Sequence, residues 1–269
     1  MAIDLDLHAE ELLPALLSDE DARRLYALQA LLESDRAGPL DEVLVSALLD
    51  CLGHSRKAVQ RTAAEVLALW SSATGEIRSR LEEMLRAADF RSRWGAAFAL
   101  AKIGPSPRSL PVLLETLGQA DGDMRWAAAS IIVALARREA AIREKLVELV
   151  GGGSAAQQKM AIYCLRDAGE GGEALRAALL GALGSDASGV RLAALSAVTG
   201  LFAADAEVVS PVVQVAREDP DPGVRRAAVS ALGNLTSRTP DVESVLAAAE
   251  ASDDAGLRKA ADGARRRRG

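Results

Sequence analysis

The sequence predicts an all-α fold in which about eight antiparallel helix pairs stack into a solenoid, an α/α superhelix. Three observations predict it. One apolar pattern recurs along nearly the whole chain at intervals of 32 to 34 residues. Within each recurrence the apolar residues follow the period of an α-helix and do not alternate as in a strand. A short oxygen-bearing side chain precedes most recurrences, as expected at a helix start. A period of this length indicates stacked helical units.

The clearest copy of the pattern is the segment from Asp219 to Leu235, DPDPGVRRAAVSALGNL. With Val224 as the reference position, its apolar and small residues form one stripe at about 100° per residue. The stripe consists of Val224, Ala227, Ala228, Ala231, Leu232 and Leu235. Equivalent runs begin at Val59, Ser92, Met124, Gln157, Val190 and Leu257. These runs are predicted to be the second helices of the pairs.

Most second helices have a predicted N-cap, because Asp or Ser side chains accept hydrogen bonds from the free N–H groups of a first turn. The candidate caps lie three residues before the reference position, with Asp186 one residue earlier than the others. They are Asp89, Asp121, Ser154, Asp186, Asp221 and Asp254. Other apolar periodic segments between these helices are predicted to be the first helices. They span 40–53, 77–88, 110–118, 142–151, 174–184 and 208–218.

The predicted repeats follow from these elements in order. One helix pair cannot bury its own apolar face, so the pairs are expected to stack as one continuous domain over 1–269. The approximate repeat bounds are 1–36, 39–72, 74–103, 107–137, 138–168, 170–203, 205–238 and 240–267. The first pair, with helices in 8–18 and 19–34, is divergent, as expected of a terminal repeat. The segments GPSPRSLP, GGGS and GEGG are predicted to be turns.

At these residues the chain resembles the HEAT-repeat family, in particular the short bacterial HEAT-like repeats also found in phycobilisome lyases. The resemblance depends on the pattern D-x-x-V-R-x-A-A-x-x-A-L-G-x-L, which the segment from Asp221 to Leu235 matches. It covers most of the chain and weakens before residue 40. It implies the α-solenoid fold, with second helices lining a concave side. It implies little about activity, because such folds host many functions.

Composition limits the classes of function. The formal net charge of −6 argues against broad binding of nucleic acid or anionic membranes as the main task, since both depend on clustered Lys and Arg. The first residues, MAIDLDLHAEELL, are acidic and contain no long apolar run, so neither a signal peptide nor a membrane span is predicted. We expect a monomeric cytoplasmic protein that makes no membrane contact.

Catalytic and metal-binding patterns are missing from the sequence. His8, His54, Cys51 and Cys164 do not form a CxxC or HExxH spacing. His54 is predicted to be a turn or cap residue, and the two cysteines small core residues without a disulfide. Iron-binding HEAT-repeat hydroxylases, which share the resemblance, carry His-Glu pairs, and this chain has no such dipeptide. We therefore predict a protein that is not an enzyme and uses no metal or other cofactor.

Arginine recurs directly after the reference residue. The column consists of Arg93, Arg125, Arg191, Arg225 and Arg258, with Gln60 and Gln158 in two other repeats. A structural interpretation has these side chains bind the capping Asp residues and helix ends of adjacent pairs. A functional interpretation makes them an anion-binding row. We prefer the structural one, because carboxylates recur at the same period as the arginines.

Aromatic residues concentrate at positions that face away from the apolar stripe. Four of the eight aromatic residues of the chain fall on this nominally solvent-facing strip in three consecutive repeats. The predicted partner-binding residues are Trp94, Phe98, Trp126, Tyr163 and Leu192, with Arg61, Glu65, Lys159 and Arg166 as a polar rim. The alternative is that curvature or side-to-side contact buries these rings in the scaffold. Aromatic residues exposed together are usual anchors of binding surfaces.

The sequence thus predicts a non-catalytic scaffold or adaptor that binds a protein or peptide in the concave groove. The rival is a nucleic-acid-binding protein similar to the HEAT-like DNA glycosylases, which also set aromatic residues and Arg in a groove. A phycobilin lyase-like chaperone is a third option by resemblance alone. The final basic run, Arg265 to Arg268, is predicted to be a solubilising end cap whose removal leaves stability nearly unchanged.

Overall fold

A computed structural model describes residues 9–34, 40–72, 76–104, 106–169 and 171–268. Within these ranges the chain forms sixteen α-helices and no strand. The helices follow the predicted order of first and second helices in eight pairs, so the predicted all-α solenoid class is confirmed. His8 and the repeat ends predicted in 35–39 and 73–75 lie outside the described residues.

Two compact units divide the chain, the first ending at Thr116 and the second beginning at Leu117. The prediction of one continuous domain stays a prediction. The helices of the first unit are α1 (Ala9–Leu16), α2 (Asp21–Glu33), α3 (Glu42–Leu52), α4 (Lys57–Trp70), α5 (Ile77–Met84), α6 (Phe90–Ile103) and α7 (Leu110–Thr116). A single 3₁₀ turn, Pro107–Ser109, precedes α7, so GPSPRSLP breaks the helical run as predicted.

In the first unit, α2, α4 and α6 contact one another in sequence and α1 contacts α3. Helix α6 is the most enclosed of these, because it contacts α3, α4, α5 and α7. Its residue Gly95 lies against the last residue of α3, Leu52, where a methyl group would overlap the main-chain carbonyl. The absence of a side chain at this position therefore allows two helices to cross at short distance.

The second unit contains two layers of helices. Its helices are α8 (Gly122–Ala136), α9 (Ala140–Gly152), α10 (Ala155–Ala168), α11 (Glu173–Ala182), α12 (Ser188–Leu201), α13 (Val209–Glu218), α14 (Pro222–Leu232), α15 (Pro240–Glu250) and α16 (Ala255–Arg268). The second helices α8, α10, α12, α14 and α16 contact one another in that order and form one layer, called the even layer below. The first helices lie behind it, with contacts between α9 and α11 and between α13 and α15.

Most predicted caps and turns are confirmed. The side chains of Asp89, Asp121, Ser154, Asp221 and Asp254 each accept a hydrogen bond from a first-turn N–H. Asp186 was wrongly predicted to cap, because α12 begins one residue later, after Ala187, and Ala187 offers no side-chain acceptor. Gly169 ends α10 with a left-handed φ of 83°, which explains the glycine at this turn.

The apolar stripe of the repeats forms the core. In α14, Val224, Ala228 and Leu232 have no exposed surface. Cys51 and Cys164 are also buried, and burial raises their thiol pKa to about 11 and about 12, so both stay protonated at neutral pH. The predictions that these residues are core residues are confirmed.

His54 lies in the turn between α3 and α4. Its Nδ1 accepts from the N–H of Arg56 at 3.1 Å, and its Nε2 lies 3.4 Å from the Asp21 carboxylate. The predicted turn role is confirmed, and the contact with Asp21 joins the turn to the start of α2.

Each arginine of the column binds the loop before its own second helix. Arg93 donates to the carbonyl oxygens of Ala87 and Ala88 at 3.1 and 3.0 Å. Arg125, Arg191, Arg225 and Arg258 bind the carbonyl six residues upstream in the same way. Two arginines of the column also bind carboxylates of the following helix pair. Arg93 binds Glu115, and Arg191 binds Asp219. The structural role is confirmed, with loop carbonyls as the shared acceptors in place of the capping Asp side chains.

The basic run at the end of α16 is part of the fold, contrary to the prediction of a solubilising end cap. Arg265 forms ion pairs with Glu243 and Glu250 of α15. The Arg268 side chain is nearly buried and donates to three carbonyl oxygens beyond the end of α14 or in its last turn. Those acceptors are Leu232, Leu235 and Ser237, at 3.0, 3.0 and 2.9 Å. Arg268 therefore donates to carbonyl oxygens at and beyond the end of α14, where the main chain supplies few N–H donors, although the Leu232 carbonyl oxygen also accepts from the Leu235 N–H at 3.3 Å.

Candidate partner-binding surface

Two aromatic rings meet on the outer face of the even layer. Trp126, in the first turns of α8, is 55% exposed, and Tyr163 of α10 is half-buried beside it. Their ring centroids lie 6.2 Å apart with an interplanar angle of 11°, so the rings are stacked. A stacked pair is held more rigidly than a lone exposed ring, and it presents a large apolar surface at low cost in conformational entropy.

The repeat register brings these rings together. Trp126 lies two residues after its reference residue Met124, and Tyr163 lies six residues after Gln157, one helical turn further along. Small buried residues let the two helices approach, and the Cys164 thiol lies 3.9 Å from the carbonyl oxygen of Ala129. The capping box of Ser154 fixes the start of α10.

A cleft of about 580 Å³ lies between α8 and α10, bounded at one end by the stacked rings. Its lining residues are Trp126, Ala129, Ser130, Val133, Ala134, Arg137, Tyr163, Cys164 and Asp167. Small apolar side chains make up most of its floor, and polar groups lie toward its other end. The volume lies within the range of about 300–1,000 Å³ that is usual for binding clefts.

Charged side chains form a network at the polar end of the cleft. The Arg166 guanidinium carbon lies 5.0 Å from the centroid of the Tyr163 ring, a cation–π contact. Arg166 also donates to the Asp167 carboxylate at 2.9 Å and to the Ser196 hydroxyl of α12 at 3.1 Å. Arg137, at the end of α8, donates to the main-chain carbonyl of Asp167 at 2.8 Å. These bonds link three helices of the even layer around the aromatic pair.

The surface continues from the rings to α12. Lys159 of α10 and Leu192 of α12 occupy the same register position as Trp126, two residues after their reference residues. Lys159 is half-buried, and Leu192 is 38% exposed. The structure thus brings together five of the predicted site residues on one face of the second unit: Trp126, Lys159, Tyr163, Arg166 and Leu192.

The other four predicted site residues lie in the first unit. Trp94 is only 3% exposed, so the prediction that its ring faces solvent is wrong. It packs against Phe98 with ring centroids 5.6 Å apart, and Phe98 is itself half-buried under the Lys102 ammonium group. Glu65 forms an exposed ion pair with Lys102 at 3.1 Å, and Arg61 is exposed on α4.

The packing of α6 explains why Trp94 is buried. The helical wheel places the Trp94 side chain opposite the apolar stripe. That side of a helix faces solvent only if neighbouring helices cover the stripe side alone. Helix α6 contacts four helices of its own unit, and the Gly95 crossing draws it close to α3. Burial by side-to-side contact, the alternative considered from the sequence, is the correct description of Trp94.

Sequence reasoning missed two polar residues of the cleft, Arg137 and Asp167. Each lies four residues, about one helical turn, after a residue of the outward strip, Val133 and Tyr163 respectively. Extending the strip by one turn would have found both.

Within the described ranges, no group of three or more His, Cys, Asp or Glu side chains could hold a metal ion. Among the described helices, none is both long enough and apolar enough to cross a membrane.

Comparisons with known proteins give a family and a fold. A family model described as HEAT repeats matches residues 45–132 and 177–264. Among solved structures, that of Escherichia coli YibA has a TM-score of 0.54 at 16% identity, over 97% of this chain and 94% of that chain. Kap95p, in a structure with RanGDP, has a TM-score of 0.60 at 14% identity, over 96% of this chain and 42% of that chain.

A third structure, that of Kap121p, has a TM-score of 0.56 at 14% identity, over 96% of this chain and 33% of that chain. The chain therefore spans less than half the length of the Kap95p and Kap121p chains. At such identities these likenesses show the fold alone. Among curated protein sequences, none gives a significant match.

Proposed function

This chain belongs to the HEAT-repeat family, and from that premise we propose that it is a non-catalytic scaffold or adaptor that binds a protein or peptide partner. The binding surface is the face of α8, α10 and α12 that points away from the first helices, the side that the sequence predicts to line the concave groove. The observation that carries the proposal is Trp126, a large ring left more than half exposed and held in place by stacking on Tyr163. Aromatic residues with this exposure and rigidity are frequent hot spots of protein interfaces. Kap95p, a protein of similar fold, binds the protein RanGDP.

Each residue of the surface has a role in this proposal. Trp126 is the anchor, and Tyr163 supports its orientation. Val133 and Leu192 extend the apolar area along and across the helices. Lys159 provides charge at the rim, where polar groups set orientation more than affinity.

Affinity capture from the native source tests the proposal. The bait is the whole chain as wild type, as Trp126→Ala and as the control Leu69→Ala, which removes another exposed apolar side chain from α4. We expect a protein retained by wild type and Leu69→Ala to be lost from Trp126→Ala. The purified partner should bind Trp126→Ala more weakly by about 2 kcal/mol or more, as for a central aromatic anchor. Equal capture by all three baits would overturn the proposal.

A nucleic-acid-processing function is the second candidate, because Asp167 lies in the cleft beside an aromatic pair and two arginines. Similarity to HEAT-like DNA glycosylases would give this carboxylate the catalytic role. Against that role, the Asp167 carboxylate already accepts hydrogen bonds from Arg166, which lowers its availability to a substrate. Base release from methylated DNA that is abolished by Asp167→Asn would establish this function, whereas an adaptor would show no such activity.

A further inference from the structure

We propose that the partner segment bound at the cleft between Trp126 and Tyr163 is an acidic peptide, with an apolar anchor residue followed by carboxylate side chains. The inference rests on the proposed function and names the chemistry of its partner. It depends on an uneven distribution of charge between the two helix layers of the second unit.

The even layer is basic although the chain as a whole is acidic. Within the described residues of its five helices, the acidic side chains are Asp123, Asp167 and Asp262. The Lys and Arg residues of the same helices are Arg125, Lys159, Arg166, Arg191, Arg225, Arg226, Arg258, Lys259, Arg265, Arg266, Arg267 and Arg268. The first helices of this unit have an acidic balance, with Glu144, Glu148, Glu173, Glu218, Asp241, Glu243 and Glu250 against Arg143, Lys145, Arg176 and Arg217. The layer that carries the exposed aromatic pair is therefore the positive one.

Several of these cations serve the fold and are not available to a ligand. The arginine column binds loop carbonyls, and Arg265 and Arg268 bind α15 and the end of α14. Lys159, Arg226 and Lys259 share the register position of Trp126 on α10, α14 and α16. Arg226 donates to the Pro222 carbonyl oxygen at 3.1 Å and lies 3.6 Å from the Asp254 carboxylate, so Lys159 and Lys259 are the cations that this row leaves for a ligand. The acid nearest the cleft, Asp167, is matched by Arg166.

The spacing of this row fits an extended peptide. Adjacent packed helices lie about 10 Å apart, and an extended chain advances about 3.3 Å per residue, so roughly three residues cross one helix of the layer. A segment whose apolar anchor sits in the cleft next meets Lys159. It then passes Leu192 and Arg226, whose charge is shared with Asp254, and reaches Lys259 on α16. Carboxylates at matching intervals would face each cation, which gives the interface complementary charge.

An acidic peptide fits better than a nucleic acid chain for two reasons. The cleft floor between Ala129 and Val133 is apolar and has few groups that could bind the edge of a base. Near the cleft, the charge of Arg166 is paired with the Asp167 carboxylate, so Arg137 and Lys159 are the two cations there that are left for phosphates. Nucleic-acid binding usually depends on many such phosphate contacts.

Selection from a random peptide library displayed on phage tests the inference with the whole chain as target. We expect enriched peptides to contain an apolar residue followed by Asp or Glu at several positions. Their enrichment should depend on Trp126, being lost with Trp126→Ala and kept with Leu69→Ala. A labelled copy of an enriched peptide should bind about tenfold more weakly to Lys159→Glu than to wild type, and more weakly as salt increases. Lys145→Glu on α9 is the matched control, because it makes the same charge change on the other layer.

The outcomes separate this inference from the proposed function. Enriched peptides that depend on Trp126 but are neutral or basic, or that bind Lys159→Glu and wild type equally, overturn the acidic partner and leave the binding site in place. A lack of any enriched peptide that depends on Trp126 counts against the proposed function as well. Labelled oligothymidylate that binds more tightly than the selected peptides, and is lost with Trp126→Ala, would assign the face to nucleic acid instead.

Discussion

Trp94 and Trp126 hold equivalent positions in consecutive repeats, yet their rings are 3% and 55% exposed. We therefore expect opposite consequences of removing them. Trp94→Ala should lower the free energy of unfolding by about 3–5 kcal/mol, because it leaves a cavity in a packed core. Trp126→Ala should lower it by about 1 kcal/mol, the contribution of one exposed stacking contact. Urea unfolding of both variants measures the difference, and a loss of several kcal/mol for Trp126→Ala would make that ring a core residue.

The ion pair between Arg191 and Asp219 is the most buried in the described part of the chain. Its two nitrogen–oxygen distances are 2.7 and 2.8 Å, and both side chains are almost inaccessible. Asp219→Ala leaves the Arg191 charge buried without its counter-ion and should cost about 3–5 kcal/mol of stability. Asp241→Ala, which breaks the exposed pair with Arg217, should cost less than about 1 kcal/mol. Similar losses for both variants would contradict the assigned difference in burial.

The same pair predicts how stability depends on pH. Burial alone would raise the pKa of Asp219, but hydrogen bonds from Arg191 and the Asp221 N–H hold that pKa below its ordinary value. A carboxyl with a lower pKa in the folded state stabilises the fold above its unfolded pKa of about 3.9, and this contribution is lost as pH falls toward the folded pKa. Unfolding measured between neutral pH and that acid range should show a smaller pH dependence for Asp219→Asn than for wild type.

At the scale of helices, Gly95 sets the distance between α6 and α3. Alanine favours a helix over glycine by about 0.5–1 kcal/mol, but its methyl group here would overlap the Leu52 carbonyl and lie 2.8 Å from the Leu52 Cβ. Gly95→Ala should therefore lower the free energy of unfolding by about 2 kcal/mol, as overpacking does. Gly181→Ala in α11 is the control, because no atom lies within 4 Å of its added methyl group. It should raise stability by about 0.5 kcal/mol, and equal effects at the two sites would contradict the close crossing.

The last turn of α16 closes the end of α14. Arg268→Ala removes three hydrogen bonds to carbonyl oxygens and should lower the free energy of unfolding by about 2 kcal/mol. Arg266→Ala removes an equally charged side chain from the exposed face of the same turn and should change stability by less than about 0.5 kcal/mol. Thermal unfolding that is unchanged in both variants would restore the solubilising end cap expected from the sequence.

Helices were predictable from the sequence because their signals are local. The stripe around Val224 and the cap at Asp221 each involve residues within one or two turns, and both recur in most repeats. Burial on the outward strip depends on which helices cross, and the crossing at Gly95 joins residues far apart in sequence. The helical wheel therefore predicted correctly that Trp126 and Tyr163 reach the surface, and wrongly that Trp94 does. Arg268 shows the same limit, since its carbonyl partners lie more than thirty residues away.

Within each of the two units, the described helices contact their near neighbours along the chain, so damage should remain local. Ala228 is fully buried in α14, which contacts α12, α13, α15 and α16. Ala228→Asp places an unpaired charge in that core and should be severely destabilising. Hydrogen exchange should become much faster in α13 to α16 and stay close to wild type in α1 to α4. Uniformly faster exchange along the chain would show that it unfolds as one cooperative body.

The arginine column fastens five of the second helices, α6, α8, α12, α14 and α16, to main-chain carbonyls, a group that every amino acid carries. Loop sequences can consequently drift without loosening the attachment, and exposed positions such as those of Trp126 and Lys159 can be exchanged without disturbing the stripe behind them. The residues that maintain the fold and the residues that are proposed to bind a partner are thus separate sets. A duplicated copy of such a chain could acquire a new partner through a handful of surface substitutions while inheriting its scaffold intact.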